Sequence, residues 1–257
     1  MKLLATCLLL AVSMKACISS WSTDVPDVHE NKTMGAVVVG MGNSQKAGSC
    51  PGAELDARNM NKLLSAYTDN VTLLLNSSAT KSAVTKALEK AISKYELVVF
   101  FYSGHGGSGF YSGDGEDDGK DEFLCLYDKY MVDDEIWDII SESEHRVFLI
   151  FDCCHSGSLY RTAGFNMRSS LKRLSASNKK KAKSGFEMLC WSGCDDDKLS
   201  YGDSAGGEFT NTLLKKFNKS YSYDTLWEKI SSDKSLLKFE EPQETNIGFN
   251  TDKLIFR

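Results

Sequence analysis

The chain has 257 residues, 42% of them hydrophobic and 25% charged, with 3 prolines and no low-complexity tract or fixed-period repeat. That composition excludes a disordered or fibrous protein and leaves room for a sizeable core. A net charge of −5 gives no reason to expect nucleic acid as a partner.

Met1 to Val12 carries one basic residue followed by an apolar run, and Cys17-Ile-Ser19 offers small residues near a cleavage point. Residues 1–20 are therefore expected to be a signal peptide, directing the chain to the secretory pathway or the cell exterior. A packed N-terminal element, and with it a cytoplasmic protein, is the alternative. The run is too short to cross about 30 Å of hydrocarbon, and no later segment is long enough, so no transmembrane segment is expected. Acceptor sequons at Asn31, Asn70, Asn76 and Asn218 are compatible with secretion. Six of the 8 cysteines follow the leader (Cys50, Cys125, Cys153, Cys154, Cys190 and Cys194) with no CxxC pair among them. Neither a zinc ribbon nor a dense disulfide framework is suggested, and at most one or two bridges are possible.

In chain order, Met34 to Gly40 reads as a buried strand, Ala53 to Tyr67 as a helix, Val71 to Leu75 as a short strand and Thr80 to Tyr95 as an amphipathic helix. Leu97 to Tyr102 is a continuous apolar strand, as expected where both faces are covered. Phe123 to Tyr127 suggests a strand, Asp133 to Ile140 a helix, Arg146 to Phe151 a central strand and Phe186 to Trp191 another. Helices near Glu208–Phe217 and Ser222–Ser232 close the pattern. The alternation implies an α/β fold with a mostly parallel sheet between helical layers. Ligands bind such sheets at the carboxyl ends of the strands.

Two apolar runs end there in reactive side chains. Val98 to Phe101 leads into Tyr102-Ser-Gly-His-Gly106, and Val147 to Phe151 into Asp152-Cys-Cys-His-Ser-Gly157. A cysteine attacks carbonyl carbon as its thiolate, so it needs a nearby base or positive charge. A histidine on a neighbouring strand end supplies one and later protonates the leaving amine. Glycines beside it let backbone N–H groups approach a developing oxyanion, with Gly106 the candidate donor. A loop histidine and a buried cysteine are ordinary features singly; together at two strand ends they point to catalysis. Neighbours along an extended strand face opposite ways, so only one of Cys153 and Cys154 can meet His105. Asp152 projects to the same side as Cys154, placed to receive a positive substrate side chain.

Tyr102-Ser-Gly-His-Gly106 with Asp152-Cys-Cys-His-Ser-Gly-Ser158 resembles the metacaspases, relatives of the caspases among cysteine peptidases. The spacing from His105 to Cys154 is 49 residues (154 − 105), near the ~50 of caspases. Gly52-Ala-Glu-Leu-Asp-Ala-Arg-Asn-Met60, Trp191-Ser-Gly-Cys-Asp-Asp-Asp197 and Glu241-Pro-Gln243 match further family segments in the right order. The resemblance implies a caspase-like three-layer α/β/α sandwich over residues 33–257, with a large-subunit part (33–160), a linker (161–185) and a small-subunit part (186–257). It also implies Cys154 as nucleophile, cleavage after Arg or Lys, and an acidic pocket made by Asp56, Ser103 and Asp152. Two carboxylates there would favour guanidinium or ammonium and repel an aspartyl substrate. Ala53 and Leu55 stand where the family often has Cys and Asn.

The acidic stretch Asp114 to Glu122 begins like a calcium loop, but an EF-hand wants Glu where Cys125 stands. Many metacaspases bind calcium with separate aspartates. Asp121, Asp133 and Asp134 fall at matching positions, while Arg161 replaces a fourth and its positive charge weakens such a site; the two readings are calcium as an activator, outside the chemistry itself, and a plain solvated acidic loop. Between Arg161 and Lys183 lie eight basic residues and no acidic one. This segment reads as a mobile loop in the place of the caspase-like inter-subunit linker, which makes self-cleavage plausible. The partners expected are protein or peptide substrates with basic residues, and a monomer is expected over a dimer. Three alternatives stand beside this reading: a legumain-like secreted peptidase, opposed by Asp-Cys-Cys-His-Ser-Gly; a catalytically silent caspase fold, opposed by the intact His105 and Cys154; and a metal site on His105, Cys153, Cys154 and His155, opposed by its ligand spacing.

Overall fold

The computed structural model describes residues 33–110, 121–154, 181–193, 202–238 and 240–257, with 108–110, 121, 154, 202 and 203 described by backbone alone. The leader, the sequon at Asn31, the acidic loop 111–120, His155, Arg161, most of the basic linker and Cys194 to Asp197 lie outside the described residues.

The main sheet runs β12-β9-β8-β5-β1-β4. Its strands are β1 (Met34–Gly40), β4 (Val71–Leu75), β5 (Leu97–Phe110), β8 (Arg146–Cys154), β9 (Glu187–Ser192) and β12 (Gln243–Ile247). Every pairing on this path is parallel except β12 against β9. Two short hairpins, β2 (Asn43–Ser44) with β3 (Gly48–Ser49) and β10 (Gly202–Asp203) with β11 (Gly206–Gly207), form separate two-stranded sheets.

Helices cover both faces. They are α1 (Ala53–Leu64), α2 (Lys81–Ile92), α3 (Asp133–Ile140), α4 (Glu208–Lys216) and α5 (Tyr223–Ser231). One face of the sheet packs Val98, Phe100, Tyr102, Leu149, Phe151 and Cys153 against α2 and α3. The other packs Val99, Phe101, Phe148, Ile150 and Trp191 against α1, α4 and α5. The two sets alternate along β5 and β8, which is why both strands read as unbroken apolar runs. Phe148 anchors the second face, edge-on to Trp191 at 4.8 Å and to Tyr223 at 5.2 Å between ring centroids.

These residues give the expected caspase-like α/β sandwich. Thr80 caps α2 as read, its side chain accepting from Ala83 N at 3.2 Å. Some boundaries differ. The first helix stops at Leu64 rather than Tyr67, and the last strand begins at Gln243. The strand expected at Phe123–Tyr127 is β6 (Asp121–Cys125), followed by an unanticipated β7 (Tyr130–Val132), because residues 127–129 make the turn. Most consequentially, β5 does not end at Tyr102 but continues to Phe110, so His105 lies inside a strand rather than beyond one. Up to His105 it belongs to the parallel sheet; from Gly106 it pairs antiparallel with β6.

Cys50, Cys125, Cys153 and Cys190 are all buried. Two sequon asparagines are held by the fold: Asn70 Nδ2 donates to Thr68 Oγ1 at 3.1 Å, and Asn76 Nδ2 to Glu54 Oε2 at 2.6 Å. Among the described residues no helix is long and apolar enough to cross a membrane.

Candidate active site

The parallel register of β5 and β8 pairs Ser103 with Asp152, Gly104 with Cys153 and His105 with Cys154. The histidine and the second cysteine of the pair are thus level on adjacent strands. Alternation puts Cys153 on the opposite face, and it is buried in the core at 2% exposure. Burial also pushes the Cys125 thiol up to about 12, which leaves it an inert hydrophobe.

His105 is buried, with Nε2 2.9 Å from the Ser49 carbonyl oxygen. A carbonyl oxygen only accepts, so Nε2 is the protonated nitrogen in this contact. The β2–β3 hairpin carries that carbonyl: Cys50 N donates to Gly42 O at 2.8 Å, closing residues 43–49 into the hairpin. Beneath the histidine, the Tyr102 hydroxyl donates to the His105 carbonyl at 2.6 Å and lies 3.1 Å from the Cys125 carbonyl. Gly104 makes this possible, since a Cβ there would stand 2.6 Å from the Tyr102 hydroxyl and 2.8 Å from Met41 Cβ. Gly106, half-buried, follows the histidine and pairs in register with Leu124 of β6.

Two residue pairs earlier along the strands lie the carboxylates. Asp56, in the first turn of α1, is 1% exposed, and Asp152 is fully buried. Asp56 Oδ2 accepts from Ser103 Oγ at 2.8 Å, so two of the expected pocket residues touch directly. Gly207 N donates to both Asp56 oxygens at 3.1 and 3.0 Å. Asp152 Oδ2 accepts from Thr210 N at 2.9 Å and from Thr210 Oγ1 at 2.6 Å. Burial, and then the charge of Asp152, push the Asp56 carboxyl from its ordinary 3.8 up to about 7, against the lowering bonds from Gly207 and Ser103. A buried carboxyl so perturbed beside a second one marks a candidate functional site. Of the two positions that differ from the resembled family, Ala53 is buried beside Cys50, and Leu55 faces outward at 38% exposure.

The expected calcium residues fall elsewhere, at one end of the β6–β7 pair. Phe123 is level with Val132, so Asp121, two residues before it, emerges at the same end as Asp133 and Asp134, the first residues of α3. Asp133 is fully buried and Asp134 half-buried. Among the described residues, no three His, Cys, Asp or Glu side chains converge as a metal-holding group.

Sequence reasoning missed Ser49, Gly207 and Thr210. Ser49 acts through its carbonyl, which leaves no side-chain signature. The other two reach the site from 151 and 58 residues away along the chain, a distance that no local spacing encodes.

The caspase domain model of peptidase family C14 matches residues 34–244. Metacaspase-1 of Ajellomyces capsulatus is 28% identical over 290 aligned positions, spanning 85% of this chain and 81% of that protein. Metacaspase-1A of Aspergillus oryzae is 25% identical over 280, spanning 82% and 67%. Metacaspase-1 of Arabidopsis thaliana is 37% identical over 139, spanning 48% and 37%. Among solved structures, protein GSU0716 of Geobacter sulfurreducens superposes with a TM-score of 0.69 at 24% identity, covering 87% of this chain and 98% of its own. Caspase-1 of Spodoptera frugiperda does so at 0.54 and 14% identity, covering 85% and 88%. Those two likenesses are of fold.

Proposed function

The chain belongs to the caspase-domain family and is a cysteine-type peptidase akin to the metacaspases, and from that premise we propose an endopeptidase that cleaves after Arg or Lys with Cys154 as nucleophile and His105 as base. The observation that carries this reading is the shared register of two strands, which sets His105 beside Cys154 and, two residues earlier, Ser103 beside Asp152. Dyad and acidic pocket then sit on one sheet edge, a fixed distance apart.

In this reading the Cys154 thiol gives its proton to His105 Nδ1 and the thiolate attacks the scissile carbonyl. Ser49 holds the ring through Nε2 and favours the imidazolium that forms. The new oxyanion is met by the N–H of Gly106. His105 then protonates the leaving amine, and water hydrolyses the thioester. The substrate's guanidinium or ammonium enters between Asp56 and Asp152, whose charge rejects acidic residues and gives a neutral Asn no comparable return. This disfavours the legumain-like alternative.

Two finer elements are proposed with it. The basic segment from Arg161 to Lys183 is a substrate for the chain's own active site. Calcium, a hard cation suited to carboxylate oxygens, is an activator held by Asp121, Asp133 and Asp134. The test is a panel of reporter peptides ending in Arg, Lys, Asn or Asp, with calcium or a chelator, on wild type and Cys154→Ala. Cleavage after Arg and Lys alone, absent in the variant, is expected; selective cleavage after Asn or Asp would overturn the specificity.

A further inference from the structure

The two buried carboxylates share a neighbour that neither belongs with in sequence. α4 begins at Glu208 with Gly207 as its N-cap, and its first turn turns three donors toward the pair: Gly207 N onto Asp56, Thr210 N and Thr210 Oγ1 onto Asp152 Oδ2. Helix N-termini carry unsatisfied N–H groups and a positive end of the macrodipole, so anions are stabilised there. Here the anions come from α1 and β8, and the helix from the far side of the linker. The approach is close enough that side chains would block it. A Cβ on Gly207 would lie 2.2 Å from Asp152 Oδ2, and one on Gly206, which adopts φ +108°, 2.4 Å from Asp56 Oδ1.

We propose that Thr210 is the positioning residue of the basic-side-chain pocket: its two donors fix the plane of the Asp152 carboxylate so that it meets an incoming guanidinium or ammonium. The inference rests on the reading of Asp56 and Asp152 as that pocket. The terminal torsion of an Asp side chain is broad, so a carboxylate held by one bond can swing, while two donors from one fully buried residue on the same oxygen remove that freedom. Asp56 is held equivalently, by Ser103 from its own part of the chain and by Gly207 from α4. The first turn of α4 therefore completes a pocket whose charges come from the opposite side of the linker, and basic-residue recognition requires the small-subunit part to be docked.

The experiment compares wild type, Thr210→Val and Thr210→Ser on Arg and Lys reporters, with the rate of Cys154 alkylation by iodoacetamide followed by peptide mass as a readout that ignores the pocket. Valine keeps the shape and the backbone donor but loses Oγ1, a hydrogen bond to a charged group. KM for Arg reporters should rise roughly 10- to 100-fold, with kcat within about 3-fold and alkylation unchanged. Serine should restore all of these. In an Asp152→Asn background Thr210→Val should add little to the loss, since its target is gone. If Thr210→Val slows alkylation as much as cleavage, or adds its full loss on top of Asp152→Asn, Thr210 merely supports the fold and the inference fails. If wild type does not prefer Arg or Lys, the pocket reading fails first, independently of Thr210.

Discussion

Ser49 gives its backbone carbonyl to His105 Nε2 at 2.9 Å, and this assigns the ring's two nitrogens to two tasks. Nε2 is committed to the hairpin, which in the proposed dyad leaves Nδ1 to take the proton of Cys154, level with His105 on the next strand. His105→Ala and Cys154→Ala should each reduce hydrolysis of Arg reporters by at least about 1,000-fold, as losses of base and nucleophile do. Cys153→Ala should stay active, since that thiol packs in the core, and pay in stability instead, with Tm lower by about 2–4 °C for a loss near 1 kcal/mol. Wild-type activity in Cys154→Ala would overturn the assignment.

The raised carboxyl of Asp56 should make stability fall, and the proposed Arg cleavage rise, as pH increases. Its carboxyl is raised to about 7, mainly by burial and next by Asp152, so the folded chain holds a proton that the unfolded chain has released by about pH 4. The favourable contribution is complete below pH 4 and is lost as pH rises through 7. Asp56→Asn, uncharged throughout, should therefore melt near wild type at pH 5 and above it at pH 8. The same variant should lose Arg cleavage, which needs the ionised pair. A Tm difference that shrinks between pH 5 and 8 would contradict the sign.

Gly207→Ala should be far more damaging than an exposed Gly→Ala change. Its Cβ would sit 2.2 Å from Asp152 Oδ2, so either α4 or the carboxylate has to move. Loss of Arg cleavage and a lower Tm are expected together. Gly48→Ala provides the control for backbone strain alone, since it has φ +77° and open space around it. Equal effects at both positions would mean that crowding against the pocket is not the cause.

Incubated with calcium, wild type should nick itself between Arg161 and Lys183, and Cys154→Ala should remain whole. The fragments should stay associated, because β8 and β9, on either side of the cut, are neighbours paired from Arg146–Glu187 to Phe151–Ser192. Intact-mass analysis under native and denaturing conditions reads both points. A wild type that stays whole while cleaving reporters would make the linker only a solvated loop, and nicking of both proteins would implicate a contaminant.

Local chemistry carried a great deal by itself. The unbroken apolar runs at Val98–Phe101 and Val147–Phe151 announced two central strands because both faces of β5 and β8 are covered. The period of two then separated Cys153 from Cys154, and the motifs around His105 and Asp152 supplied the chemistry and the family resemblance. Helix starts such as Thr80 were legible because a cap is a contact between residues three apart. What only the tertiary structure decided are the relationships whose partners are far apart in sequence or carry no side-chain signal. Strand register, not spacing, makes His105 level with Cys154. A backbone carbonyl at Ser49 orients the histidine, and any residue type could have provided it. The first turn of α4 reaches two carboxylates 151 and 58 residues away. Raising Asp56 to about 7 needs burial and a second charge, and both exist only once the sheet, α1 and α4 have closed around it.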